Sequence, residues 1–136
     1  MATFHKFDCF VGDVGLKLHQ LNTDTLNVYL TNVQPVVGNT VFGTPAEITA
    51  VNNYPAGGSD VQNLYSQTSG TGTMTGTTIV FTASGGSFGP FQFAVLYNVT
   101  AAAKNLIGWW DYGSAVTVLT GETFTVTIGA SILTIT

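Results

Sequence analysis

FQFAVLYNVTAAAKNLIGWWDYGSAVTVLTGETFTVTIGASILTIT, residues 91–136, decides the fold. Five short runs rich in β-branched and aromatic residues, Phe91–Asn98, Leu106–Tyr112, Ala115–Leu119, Glu122–Ile128 and Ser131–Thr136, are parted by turn signals at Asn105, Gly113, Thr120-Gly121 and Gly129. No helical period intervenes, which excludes a parallel α/β sheet and predicts antiparallel strands. Toward the N-terminus the pattern repeats in Val61–Gln67 and Met74–Ala83. The Gly/Thr run around Ser69-Gly70-Thr71-Gly72 reads as one hairpin tip and Gly85-Gly86 as another hairpin loop. In Thr25–Asn32, Leu26, Val28 and Leu30 alternate with Asn27, Tyr29 and Thr31, the two-residue period of a strand with one face in the core.

Only two regions break this rhythm. From Thr3 to Leu21, Phe7, Phe10, Val11, Val14 and Leu18 fall at offsets of three, four and seven, which predicts a short N-terminal helix within 1–21. Gly12 and Gly15 weaken it by about 1 kcal/mol each, so tertiary packing has to hold it. Residues 33–60 carry Pro35, Gly38, Gly43, Pro45, Pro55, Gly57 and Gly58 and read as a long irregular loop with one short element around Ala46–Val51. The expected architecture is a single mainly β domain over residues 1–136. It is an antiparallel β-sandwich or jelly roll of seven to eight strands with one short N-terminal helix.

Composition narrows the function. Charged residues are 7% of the chain, against about 25% in an ordinary domain, so the surface is built from uncharged polar groups, 22 of them threonines. Three lysines, no arginine and seven acids give a net charge of -4. A phosphate backbone or an acidic membrane has no basic patch to hold, which argues against both as partners. A weakly charged surface also offers little repulsion to association.

Chemistry-bearing residues are sparse. Cys9 stands alone, so no intrachain disulfide or thiolate zinc cluster can form, and His5 and His19 are too far apart to share a helical face at metal-ligand spacing. The seven acids are scattered and sit mostly beside turns. Gly85-Gly86-Ser87-Phe88-Gly89-Pro90 leads into a strand and lacks the helix and the lysine of a phosphate loop. Asp8 and Asp13 interrupt any signal-peptide apolar stretch, and no run reaches the length of a membrane span. Synthesis in a cytoplasm is expected, the sequon Asn98-Val99-Thr100 is read as chance, and no enzymatic activity, metal or cofactor is expected.

The aromatic residues carry the functional signal. Trp109 and Trp110 are neighbours on one strand and point to opposite faces. Ile107 shares a face with Trp109, which is assigned to the interior, while Trp110 and Tyr112 are assigned to a partner. Asp111 falls on the Trp109 face and argues the other way unless the strand has already reached the rim there or the carboxylate finds a donor. The loop adds Val36, Val37, Val41, Phe42 and Tyr54, whose apolar area is costly to leave in water at ~25 cal/mol per Å2. The expected contact set is Val36, Val37, Val41, Phe42, Tyr54, Trp110 and Tyr112, and the loop is expected to be loose until it meets a partner.

LNVYLTN (26–32), YPAGG (54–58), FTASGGSFGPFQFAVLYN (81–98), LIGWWDYGS (106–114) and GETFTV (121–126) resemble, in order, a family of small tailed-bacteriophage virion proteins. The resemblance implies a capsid decoration or cement protein, made in the bacterial host cytoplasm. Such a protein binds the outer shell through the major capsid protein and copies of itself, as a trimer at local threefold positions. It implies no catalytic residues. A tail, neck or baseplate component is the alternative role, and a lectin-like module stacking host sugars on Trp110 and Tyr112 is a second.

Overall fold

Two long antiparallel strands, β7 (Phe88–Asn98) and β8 (Leu106–Val118), lie at the centre of the computed structural model, which describes residues 2–128 and 131–136. They belong to a five-stranded sheet in the order β1-β8-β7-β2-β3, with β1 at Thr3–Lys6, β2 at Leu26–Thr31 and β3 at Ser59–Asp60. A three-stranded sheet follows the order β10-β5-β4, made of Leu133–Ile135, Thr71–Thr75 and Leu64–Thr68. Strands β6 (Ile79–Thr82) and β9 (Thr123–Val126) pair as a third. Every pairing is antiparallel. The fold is mainly β, with one short helix, α1, at Cys9–Gly15. That helix is not long or apolar enough to cross a membrane.

Several boundaries differ from the expected ones. The N-terminal residues Thr3–Lys6 form β1 rather than the start of the helix, because Phe4 and His5 lie opposite Trp110 and Trp109 in the ladder. Cross-strand aromatic pairing there outweighs a helical stripe already weakened by two glycines. Within the stripe Phe10 is buried and Val14 partly so, whereas Val11 and Leu18 face solvent. Met74–Ala83 divides into β5 and β6, and residues 46–51 contribute no strand. Gly85-Gly86 carries the chain from β6 to β7 in another sheet, so it is a crossover and not a hairpin.

Gly113 does not end a strand either. Phe91 pairs with Val116 and Phe93 with Asp111, so β8 bulges between them, and Gly113 takes a positive φ of 84° within the bulge. Its N–H donates to Asp111 Oδ1 at 2.8 Å. The turn expected at Gly129 lies outside the described residues.

The pleat sends side chains to both faces of the large sheet, and both faces are covered. Leu26, Val28, Leu30, Ala94, Leu96, Ile107 and Trp110 pack on one side with Met74, Ile79, Phe81 and Val126 from the two smaller sheets. Tyr29, Phe93, Val95, Tyr97 and Trp109 pack on the other with Phe7, and half-buried Phe42 and Cys9 close over them. The accessible surface of 6569 Å2 is close to the about 6,800 Å2 expected for a monomer of this mass. The subunit therefore completes its own core.

Candidate docking surface

The second aromatic layer corrects the expected facing of the tryptophans. Trp109 and Trp110 do point to opposite faces, but their exposures are only 7% and 4%. Phe7 lies 4.6 Å from the Trp109 ring and His5 stacks on it at 5.1 Å, while Phe4 meets Trp110 edge-on at 4.9 Å. Trp110 is thus an interior residue, since residues 2–10 supply a cover that a single strand's alternation does not reveal. Asp111, on the strand between Trp110 and Tyr112, is not buried, and its carboxylate accepts from Gly113 N–H at 2.8 Å and from Gln92 Nε2 at 3.1 Å. These two donors hold its carboxyl below the usual range.

The 33–60 loop separates into two parts. In the second, Tyr54 is buried, contrary to the expected contact role. Its hydroxyl accepts from the Leu30 N–H at 2.9 Å and donates to Glu47 Oε2 at 2.7 Å, and burial pushes its pKa well up. Glu47 also accepts from Gly57 N–H at 2.8 Å. Ile48 N–H donates to Leu30 O at 3.0 Å, so this stretch satisfies both backbone groups of a β2 residue beyond the reach of the two-residue β3. The Tyr29 hydroxyl donates to Pro45 O at 2.8 Å and Thr31 Oγ1 to Ala46 O at 2.6 Å. This stretch stands in for an edge strand, and its Tyr54 and half-buried Ile48 belong to the domain's own core. Gly58 is required there: its φ is +78° and a Cβ would collide with the Val28 carbonyl.

Phe42 and Val41 are half-buried. The Phe42 ring stacks on Tyr97 at 4.6 Å and meets Tyr29 edge-on at 4.9 Å, and Val41 bridges to Asn105.

The first part of the loop does project. Val33, Val36 and Val37 are 52%, 59% and 47% exposed. Val36 and Val37 are held outward by a hydrogen-bonded turn, with Val36 N–H donating to Asn39 Oδ1 and Asn39 N–H to Val36 O, both at 2.8 Å, while Val33 N–H donates to Thr31 Oγ1 at 3.0 Å. The turn is tied down by Asp8 N–H to Val37 O at 3.0 Å and Leu106 N–H to Thr40 O at 2.9 Å. Cys9 Sγ lies 3.5 Å from Leu106 O beneath it, and burial with the neighbouring Asp13 raises the thiol pKa to about 11. Val33 lies outside the expected contact set because it precedes the Pro/Gly punctuation that begins at Pro35. Leu16 and Leu64, at 74% and 68%, are further projecting apolar side chains. Their places on a helix end and an edge strand carried no signal.

Tyr112 is half-buried against Phe124, ring centroids 4.9 Å apart, at the floor of a cleft of ≈ 500 Å3 between β8, β9 and the N-terminal strand. Among the described residues no three His, Cys, Asp or Glu side chains gather as a metal site. His19 is buried and stacked on Phe10, and accepts from Asn98 Nδ2 at 2.9 Å through Nδ1. The Asn98 amide orientation is fixed because its Oδ1 accepts from the Thr100 and Ala101 N–H groups. The ring proton is therefore on Nε2, which has no hydrogen-bond partner and lies 3.8 Å from Asp13 Oδ2. No family model, no curated protein and no solved structure matches the chain.

Proposed function

We propose that this chain is a bacteriophage virion structural protein. In this reading it docks on the outer capsid surface, against the major capsid protein and copies of itself arranged as a trimer, and reinforces the shell. The observation that carries the reading is the Val36–Asn39 turn, which presents exposed Val36 and Val37 with exposed Val33 just before it. A tied-down turn spends little conformational entropy on binding, and the apolar side chains it presents gain from burial. A 7% charged composition, the low net charge and the ordered sequence resemblance support it further.

Imaging purified particles tests the assignment: density for this fold is expected on the outer shell, and density confined to the tail or neck would move the protein to the alternative station. A Val36→Lys/Val37→Lys double substitution keeps the exposed backbone turn intact. It is expected to leave the subunit's stability within about 0.5 kcal/mol and to weaken its retention on particles.

A further inference from the structure

The cleft beside Tyr112 is lined by β8, by Ala2 and Thr3 at the start of β1 and by Phe124, Thr125 and Thr127 of the β9 segment, and β1 and β9 each end a sheet. In β9, Glu122 O accepts from Ala83 N–H at 3.0 Å and Ile128 N–H reaches Thr78 Oγ1 at 3.4 Å. Even-numbered residues of this segment therefore turn their backbone groups to the β6 side. Thr123, Thr125 and Thr127 turn theirs away. In β1, Phe7 N–H continues the ladder to Ile107 O at 3.0 Å, so odd-numbered residues face β8 while Ala2, Phe4 and Lys6 present their N–H and C=O groups outward. None of these outward groups meets a hydrogen-bond partner among the described residues. Ala2, Thr3, Thr125 and Thr127 all line the cleft, whose floor is Trp110, Tyr112 and Phe124.

We propose that this cleft receives an extended segment of a partner protein, which adds a strand to the free edge of β9 and lays alternate apolar side chains on Tyr112 and Phe124. Strands recognise strands through backbone groups, and the pockets for alternate side chains supply specificity. The one charged side chain lining the cleft is Asp111, on a chain of net charge -4. A lysine or arginine on the incoming segment complements it. The inference rests on the docking reading above and adds a second contact to it, apart from the valine turn.

The probe is the blocked peptide acetyl-Thr-Val-Lys-Val-Thr-Val-amide, titrated into the full-length 15N-labelled chain. Binding is expected to shift and protect the Thr123, Thr125 and Thr127 amides, with at least tenfold weaker affinity when the peptide's outward N–H groups are methylated or its lysine is replaced by glutamate. Thr125→Pro removes one outward N–H while leaving the Phe124 and Val126 pairs with β6 in place, and it is expected to weaken binding at least tenfold. Should Thr125→Pro unfold the chain, the methylated peptide gives the same answer on the unaltered protein. Equal binding of the methylated peptide, shifts located elsewhere, no binding at millimolar concentration, or shifts produced by N-acetylglucosamine instead would each overturn the inference. The titration needs no particle, so a chain that binds the peptide but is missing from virions would sink the virion reading alone.

Discussion

Tyr54→Phe isolates the bond between the long loop and the sheet. The ring keeps its place against Phe81 and Phe88, 5.5 and 5.6 Å away, so no cavity opens and only the hydroxyl is lost. Leu30 is fully buried, and its N–H loses the acceptor at 2.9 Å; an orphaned buried donor costs about 1–3 kcal/mol. Glu47 loses a donor at 2.7 Å but keeps the Gly57 N–H and is partly exposed, so this second loss is discounted to about 1 kcal/mol. The sum is about 2–4 kcal/mol. Urea unfolding should show it as a lower midpoint at unchanged slope. Hydrogen exchange should show residues 47–58 and the Leu30 amide opening more readily in the variant. A loss below about 0.5 kcal/mol would mean that the loop is not held by this hydroxyl, and that its ordered path rests on packing alone.

Trp109→Ala and Trp110→Ala should each destabilise the isolated subunit by about 3–5 kcal/mol, since each ring fills a separate cluster; denaturant midpoints check it, and a Trp110 variant that stays as stable as the parent would restore the outward assignment. Burial holds His19 below its ordinary value of 6.5, against the pull of Asp13 and Asp24. The unfolded chain then takes up a proton that the folded chain refuses, so stability is flat above pH 6.5 on this account and falls as pH drops below it. His19→Gln should flatten that acid limb in thermal melts between pH 7 and pH 5, and an unchanged limb would place the proton uptake elsewhere. With its thiol raised to about 11, Cys9 should react with iodoacetamide at neutral pH roughly a hundredfold more slowly in the folded chain than after unfolding. Equal rates would show the thiol to be open.

How far the sequence could be read depended on whether the deciding contact is local. Alternation in Leu26–Thr31 and the β-branched and aromatic content of Phe91–Asn98 are local properties, and both segments are strands as expected. The opposite facing of Trp109 and Trp110 is local as well, and it holds. What covers each face is not local. Trp110 is closed off by Phe4, more than a hundred residues earlier in the chain, and the Tyr97 face by Phe42. Tyr54 differs from its expected contact role for the same reason: its partners, Leu30 and Glu47, lie 24 and 7 residues away within segments that show no shared periodicity. The two glycines around Cys9–Gly15 did mark a weak helix, but not that its first turn would be exchanged for an edge strand.

That the large sheet is covered on both faces also limits where docking energy can arise. A sandwich with one open aromatic face could bind through area alone, whereas here the rings are already used to stabilise the subunit. Among the features left outside are a valine turn fixed by its own hydrogen bonds and a pair of strand edges with unpaired backbone groups. The two differ in kind. Burial at the turn is non-directional and tolerates a partner of varied shape, while edge pairing fixes direction and register. On the proposed virion reading, a subunit placed at one repeated position needs the second to be oriented and the first to be held. Substitutions at Val36 and Val37 should therefore lower occupancy on a particle, whereas Thr125→Pro should lower occupancy and also blur the position of the subunits that remain.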